Sequence, residues 1–265
     1  MNEKYERILQ AQQRDWNRIA LRMALLVPVI AACFYYVGLF DEKRLMEGIP
    51  SIFGLLIESL PPDFTEVRNW IKPLLDTLAM SVAGTAIAVF FSLPLGLLSA
   101  RNTSPHPLVY ILSRGLLNGL RSVPELIMGI VFVAAVGFGS LPGVLALGLH
   151  SVGMVGKFFA EAIEHVAEEP VEAVKAVGGR PMQIVLHGVL PQILSQIADV
   201  SIYRWEYNFR ASTVMGMVGA GGIGFELIGA LRLMQYREVS AILIVILVMV
   251  TLVDGFGAFL RRHFE

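Results

Sequence analysis

Residues 219–224 read GAGGIG, a run in which Gly219, Gly221 and Gly224 fit the G-x-G-x-x-G pattern of dinucleotide-binding loops. In such loops the glycines let the backbone approach a pyrophosphate, and an acidic residue about 20 positions later binds the ribose. Glu238 follows Gly219 by 19 residues. Because this fingerprint works only between a strand and a helix of a βαβ unit, its meaning depends on the elements around it.

Several charged residues lie inside otherwise apolar stretches, where a charge costs roughly 2.5–3.5 kcal/mol at the centre of a bilayer. Arg121 and Glu125 are four residues apart, as are Glu206 and Arg210, so each pair fits an ion pair on one helical face. Arg204 has no acidic residue three or four positions away. We therefore expect the two pairs to be bridged and Arg204 to be an unpaired cation.

Residue types used in catalysis and metal binding are scattered along the chain. His150, His165 and His187 are scattered and form no His/Asp/Glu cluster at metal-ligand spacing, and Ser151 has no base three or four positions away on its helical face. Cys33 is the only cysteine, and no GxxxxGK[ST] segment is present. The sequence predicts no catalytic, metal or cofactor site on this chain, and no binding of nucleic acid.

The composition places these residues in a membrane. Of 265 residues, 55% are hydrophobic and only 16% charged, and the mean hydropathy is +0.64. A soluble domain carries roughly a quarter charged residues, and about 20 apolar residues suffice for a membrane-spanning helix. We predict an all-α integral membrane protein with six spans, at 19–40, 74–100, 122–139, 143–162, 193–217 and 239–260.

The distribution of basic residues predicts the orientation of these spans. Twelve lysines and arginines lie in the segments 1–22, 101–121, 163–193 and 261–265, against six in 41–73, 140–142 and 232–237. Since basic residues favour the cytoplasmic side, both termini are predicted to be cytoplasmic.

The connections divide the chain into two expected parts. Residues 1–73 would comprise an amphipathic segment, the first span and a periplasmic loop with a short helix, and residues 74–265 a core domain. Within the core, 101–121 is predicted to be an amphipathic connector, and residues 140–143 a tight turn between two spans.

The segment 163–193 interrupts the spans with about thirty residues on the predicted cytoplasmic side. Pro170 suits the first turn of a helix over 171–177, and Gly178-Gly179 is expected to end it because glycine adopts the left-handed cap conformation. A second helix should follow, and Leu190-Pro191 should open the next span. The pattern predicts a helix-turn-helix finger with a small apolar face, suited to a groove on another protein.

This segment resembles the EAA loop of bacterial ABC importer permeases, E-A-A-x3-G-x9-I-x-L-P. The match comprises Glu172-Ala173-Val174, Gly178 and Leu190-Pro191, with Val174 and Gly188 departing from the pattern. In that family the loop forms a coupling helix that inserts into a cytoplasmic ATPase. The resemblance implies that ATP and Mg²⁺ are bound by a separate subunit and that this chain is a transport subunit rather than an enzyme.

The residues implied to couple the chain to the ATPase follow from the matched positions. Glu172 is expected to brace the loop rather than to contact the ATPase. The full coupling set is Glu172, Ala173, Lys175, Ala176, Gly178, Gly179, Arg180 and Pro191.

Two further stretches, RSVPELIMGIVF at 121–132 and YNFRASTVMGMVGAGGIGFEL at 207–227, are similar to permeases that import phosphonates and phosphite. Methionine-type permeases are a more distant match. The resemblance implies a type I ABC importer fold in the bacterial inner membrane. It also implies a homodimer of this chain, two ATPase subunits and a periplasmic solute-binding protein.

Phosphonates and phosphite are tetrahedral oxyanions, for which a guanidinium fork is a favoured donor. We therefore expect a substrate pathway at the dimer axis. The rival interpretation is that the same charges stabilise a helix pair or contact lipid headgroups. The candidate pathway residues are Arg121, Glu125, Arg204, Glu206, Asn208, Arg210, Ser212 and Thr213.

With no βαβ unit predicted, GAGGIG is interpreted as a close-packing bend, since small residues let helix backbones approach. Gly219, Gly221, Gly222 and Gly224 are expected to form an outer gate, followed by a short helix over 225–233. Two alternatives remain at this stage. One is an ion-coupled secondary transporter, which needs midplane carboxylates and broken-helix repeats; the other is an importer for phosphate or methionine.

Overall fold

The computed structural model describes residues 2–264, without the side chains of residues 2–11, 14, 17, 21 and 263. Within this range every regular element is helical, which confirms the all-α prediction and leaves GAGGIG without a βαβ unit. The helices are α1 Asn2–Val37, α2 Glu42–Glu58, α3 Ile71–Ser99, α4 Pro107–Ser122, α5 Glu125–Val136, α6 Ser140–Glu164, α7 Glu168–Ala176, α8 Pro181–Ile184, α9 Leu190–Met215, α10 Ile223–Arg232 and α11 Tyr236–Phe264.

Two compact units are present, Met1–Glu58 and Ser59–Glu265. This division lies before the predicted one at residues 73 and 74. Residues 59–73 are held in the second unit by several contacts: Ser240 Oγ donates to Ser59 O at 2.6 Å, Asp63 N–H donates to Arg237 O at 3.0 Å, and Trp70, which is 1% exposed, lies in one buried cluster with Ile223 and Ile242. The segment that precedes α3 therefore belongs to the core unit.

Five described helices are long and apolar enough to cross a membrane: Arg18–Val37, Ile71–Ser99, Ser140–Glu164, Pro181–Ala220 and Tyr236–Arg262. A sixth span is possible if α4 and α5, which are bent by 85°, count as one. The span predicted over 122–139 corresponds to α5, which reaches membrane-spanning length only together with α4. With 12 residues, α5 is only about 18 Å long, and a bilayer core is about 30 Å thick.

The turn between α5 and α6 also differs from the prediction at residues 140–143. Gly137 and Gly139 form it, and Ser140 already begins α6. Leu141 and Pro142 thus lie in the first turn of the helix, where proline is tolerated because its missing N–H would be unpaired anyway.

Helix α6 lies at the centre of the core unit and packs closely along α3. Glycines make this approach possible: a β-carbon on Gly84 would lie 3.1 Å from Leu147, and one on Gly96 would lie 2.9 Å from Phe159. Close contact between small residues is the usual basis of helix association in a membrane. Here it fixes the frame on which α9 is placed.

Helix α9 continues α8 through a π-helical turn, Val185–Val189. The predicted second helix of the finger is the short α8, and α9 begins at Leu190-Pro191 as predicted, with the π turn joining the two helices. Leu190 N–H donates to Val185 O, five residues back, and Pro191 follows directly. Proline has no N–H for a regular helical bond, and the widened turn before it keeps the helix continuous.

Candidate functional site

The predicted cytoplasmic finger is built from α7 and the loop after it. Gly178 has φ +80°, which supplies the left-handed turn, and Gly179 N–H donates to Val174 O at 3.0 Å. The side of the finger away from the bundle is open to solvent. Its exposed members are Glu172, Ala173, Lys175, Ala176, Gly178 and Arg180, whereas Gly179 is half-buried and Pro191, on α9, is exposed.

The base of the finger is fixed by contacts that the sequence did not indicate. Gln192 Oε1 accepts from Ala167 N–H at 2.9 Å, and Gln192 Nε2 donates to Gly188 O at 2.5 Å. A β-carbon on Gly188 would lie 3.1 Å from the Cα of Val171. The glycine that departs from the EAA pattern thus lets α7 pack tightly on the π turn that leads into α9.

Inside the core unit a chain of polar side chains joins three helices. Ser151 of α6 donates to Asn208 Oδ1 at 3.0 Å, and Asn208 Nδ2 donates to Thr85 Oγ1 of α3 at 2.9 Å. Arg204 Nε donates to Ser151 Oγ at 2.7 Å. Because buried polar groups need partners, this chain fixes the rotation of α9 against α3 and α6.

Arg204 lies beneath Tyr207, with its guanidinium carbon 4.3 Å from the ring centroid. The residue is 4% exposed, and its Nη2 has no hydrogen-bond partner. No carboxylate lies within ion-pair distance of Arg204 in the described part of the chain. Its cation is therefore buried inside the helix bundle.

Glu125 does not pair with Arg121, so that predicted bridge is wrong. Arg121 belongs to α4 and Glu125 opens α5 beyond the sharp bend, so the two do not share a helical face. Instead, Tyr207 donates to Glu125 Oε1 at 2.7 Å, and His150 Nε2 lies 3.4 Å from Glu125 Oε2. This cluster links α5, α6 and α9.

The second predicted bridge, Glu206 to Arg210, is also wrong. Arg210 Nη1 lies 2.7 Å from Asp254 Oδ1, and Glu206 Oε1 lies 2.8 Å from Arg261 Nη1. Helix α11 packs beside α9 and offers each charge a partner of opposite sign. Tertiary packing therefore replaces one local pair with two ion pairs between helices.

The hydroxyls of Ser212 and Thr213 donate to the preceding turn of α9, and that of Ser212 also lies 3.2 Å from Thr77 O of α3. Ser212 donates to Phe209 O at 2.7 Å and Thr213 donates to Arg210 O at 2.7 Å. Such bonds to the preceding turn satisfy a hydroxyl inside a helix.

The residues between α9 and α10 form a tight backbone turn. Gly219, Gly221 and Gly222 have φ of +100°, +74° and +74°, a region that side chains with a β-carbon avoid. Ile223 N–H donates to Thr77 Oγ1 at 2.9 Å, and Gly139 N–H donates to Gly219 O at 3.2 Å. The turn is thus attached to α3 and to the α5–α6 turn.

A cavity of about 310 Å³ lies between α5 and α9. Glu125, Tyr207 and Arg210 are its polar lining residues, and Leu126 and Val214 are among its apolar ones. Of the eight candidate pathway residues, only Glu125 and Arg210 line it. A second cavity, of about 380 Å³, lies at the finger and is lined by Glu164, Glu172 and Lys175 among others.

Residues 92–265 match the family described as "Binding-protein-dependent transport system inner membrane component". The chain belongs to this family. The permease is therefore an inner-membrane transport subunit, as the resemblance of its EAA-like segment implied. Membership also disfavours the ion-coupled secondary transporter that the sequence had left open.

Relatives of the permease cover nearly its whole length. It is 66% identical over 263 residues to the phosphite transport system permease protein PtxC of Stutzerimonas stutzeri, across 99% of this chain and 96% of the relative. It is 41% identical over 223 residues to the phosphate-import permease protein PhnE of Mycolicibacterium smegmatis, across 84% of this chain and 42% of that protein.

The fold of the permease is similar to a solved structure of the MetNI methionine ABC transporter. The TM-score is 0.63 at 22% identity, and the match covers 74% of this chain and 96% of the other. This likeness confirms the predicted methionine-permease-like fold.

Sequence reasoning missed several side chains that build the site of the permease, namely Thr85, His150, Ser151, Tyr207 and Asp254. A signal existed for some of them, since a histidine and an aspartate within apolar helices need partners. The paired residues are far apart in sequence, by 25 residues for His150 and Glu125 and by 123 residues for Asn208 and Thr85. Spacing along one helix does not reveal such pairs.

Proposed function

We propose that this permease translocates phosphite, with phosphonates as related substrates, after delivery by a periplasmic binding protein. The observation that carries the proposal is the 66% identity to a phosphite permease across 99% of the chain. The stretches at 121–132 and 207–227 lie within this match, and they contain Glu125, Tyr207 and Arg210.

Phosphate is the second candidate substrate, because a phosphate-import permease is 41% identical over 84% of this chain. The two anions share a tetrahedral phosphorus with three oxygens, and they differ in the fourth substituent, which is a hydrogen in phosphite and a hydroxyl in hydrogen phosphate. An arginine that donates hydrogen bonds to the oxygens of one anion donates equally well to those of the other.

The pathway is proposed to run along the face of α9 that carries Tyr207, Arg210 and Val214. Arg210 and Asp254 are 43% and 44% exposed in the single chain although they belong to membrane spans. Charges in a span face a protein interior or water rather than lipid. A second copy of the permease packed on this face would enclose them, which supports a homodimer with the pathway at its axis.

The finger is proposed to insert into a cytoplasmic ATPase, one per permease copy. ATP and Mg²⁺ would be bound there, and this chain would carry out no chemistry on its substrate. Closure of the two ATPases would move the two fingers together as rigid bodies and switch access to the pathway. The tight contact of α7 with the base of α9 supports direct transmission of that movement.

Uptake into proteoliposomes tests the substrate. The permease, its ATPase and its binding protein are reconstituted, and ATP-dependent uptake of radiolabelled phosphite, methylphosphonate and phosphate is compared with that of methionine. We expect phosphite uptake to exceed phosphate uptake and methionine uptake to be absent. Equal or faster phosphate uptake would favour the second candidate, and uptake of methionine alone would contradict both.

A further inference from the structure

Arg210 and Asp254 form an ion pair in which only one nitrogen of the guanidinium is used. Nη1 lies 2.7 and 2.9 Å from the two carboxylate oxygens of Asp254. Within the described part of the chain, Nε and Nη2 of Arg210 make no hydrogen bond. A guanidinium has five N–H donors in a fixed fork, so one edge of Arg210 remains available for two oxygens of an anion.

The surroundings of Arg210 fit such an anion. Its side chain is 43% exposed and lines the cavity of about 310 Å³ together with Tyr207 and Glu125. Arg204, six residues earlier, offers an unpartnered Nη2 but is covered by Tyr207 and is 4% exposed. Of the two cations, Arg210 is the one that an anion can reach without movement of another side chain.

We propose that Asp254 sets the affinity of Arg210 for the translocated oxyanion and keeps it low. The inference rests on the proposed function, because it takes the anion to be the substrate. Asp254 shares the guanidinium with the anion and carries the same sign of charge, so it weakens binding without touching the anion. Conduction needs a site that is attractive enough to be entered and weak enough to be left.

The effect of Asp254 is therefore that of a positioning residue acting through Arg210. Removing its charge should strengthen anion binding and slow anion release. A neighbouring charge typically changes the binding constant of an ion by about tenfold or more. Removing the charge of Asp254 should therefore lower the dissociation constant of the anion from Arg210 by about that factor.

The test uses the permease–ATPase complex in lipid nanodiscs without the binding protein, with radiolabelled phosphite as the probe. In Asp254→Asn the expected dissociation constant is about tenfold lower. With the binding protein added, the maximal rate of uptake should fall because release slows. Asp254→Glu, which keeps the charge, should restore both values toward wild type. Asp254→Ser removes the charge with a smaller side chain if the amide variant does not fold.

Two further variants make the test specific. Asp199→Asn removes a carboxylate from α9 that lies 4.0 Å from Arg261 and does not touch Arg210, and it should bind phosphite as wild type does. In the double variant Arg210→Gln/Asp254→Asn the gain in affinity should vanish, because the gain depends on the guanidinium.

Equal binding by wild type and Asp254→Asn, or a gain that persists in the double variant, overturns the role of Asp254. Such a result in a complex that still transports phosphite leaves the proposed function intact. Failure of the wild-type complex to transport phosphite would instead overturn the proposed function.

Discussion

Asn208 is fully buried and is bonded to two other helices, through Ser151 of α6 and Thr85 of α3. In Asn208→Ala both partners lose a bond inside the helix bundle. Leaving buried polar groups unpaired costs about 1–3 kcal/mol each. We expect a clear loss of thermal stability in detergent, measured by following the folded fraction by size-exclusion chromatography after heating.

A matched control for this residue lies on the same helix. Ser201 donates only to Ile197 O, one turn back, at 2.6 Å. Ser201→Ala removes a hydroxyl without orphaning a partner on another helix, so stability should change little. Equal stability of the two variants would mean that the polar chain does not hold α9 in place.

Gly224 lies where α10 crosses α9, and a β-carbon there would displace the whole of α10. That carbon would overlap the carbonyl oxygen of Thr213, so Gly224→Ala forces α10 away. Overpacking typically costs about 1–3 kcal/mol and occasionally more, and transport should fall together with thermal stability.

Gly229, on the same helix, provides the comparison for Gly224. A β-carbon there would meet nothing within 4 Å. Alanine is favoured over glycine in a helix interior by about 0.5–1 kcal/mol, so Gly229→Ala should be neutral or slightly stabilising. Similar losses of transport and thermal stability in both variants would show that α10 tolerates no added side chain, and that the close approach of Gly224 to Thr213 is not the cause.

The finger is the second element that can be tested. Gly178 is exposed and a β-carbon on it would meet nothing within 4 Å, but its φ of +80° is one that side chains avoid. A large side chain there therefore alters the outer surface of the finger and strains the turn that ends α7. Gly178→Trp should abolish co-purification of the ATPase while the permease remains folded. Gly229→Trp, on the predicted opposite side of the membrane, should leave co-purification unchanged; loss in both would indicate general misfolding.

At the scale of the whole molecule, the exposed pair Arg210–Asp254 favours a partner chain packed on α9 and α11. If that partner is a second copy, two differently tagged copies of the permease expressed together should co-purify through either tag. Mixing the two after separate purification controls for exchange and aggregation. Recovery of only one tag with a full complement of ATPase would indicate a different permease chain as partner.

Much of the architecture could be predicted because membrane insertion and caps are local properties of the chain. Apolar length predicted the long spans, and Gly178 after a proline-started helix predicted the end of α7. The break between α4 and α5 was predicted to within a few residues, because the amphipathic pattern of 101–121 changes there to a fully apolar run. The shortness of α5 was not predicted, because the apolar run continues past the glycines that end the helix. The structure separates the candidate pathway residues, since Arg210 lines a cavity and Arg204 is buried. The sequence could not predict this difference, because it depends on which helices pack on α9.

The sequence by itself determined that the chain is a helical membrane protein with an EAA-like finger, predicted to be cytoplasmic, and that it lacks the strand–helix unit a dinucleotide fingerprint requires. These properties follow from apolar length, from glycine and proline chemistry, and from spacing within single segments. Only the tertiary structure decided the charge partners, pairing Arg210 with Asp254 and Glu206 with Arg261. An ion pair inside a membrane is settled by which helices come into contact, because a charge takes whatever opposite charge the packing brings within reach.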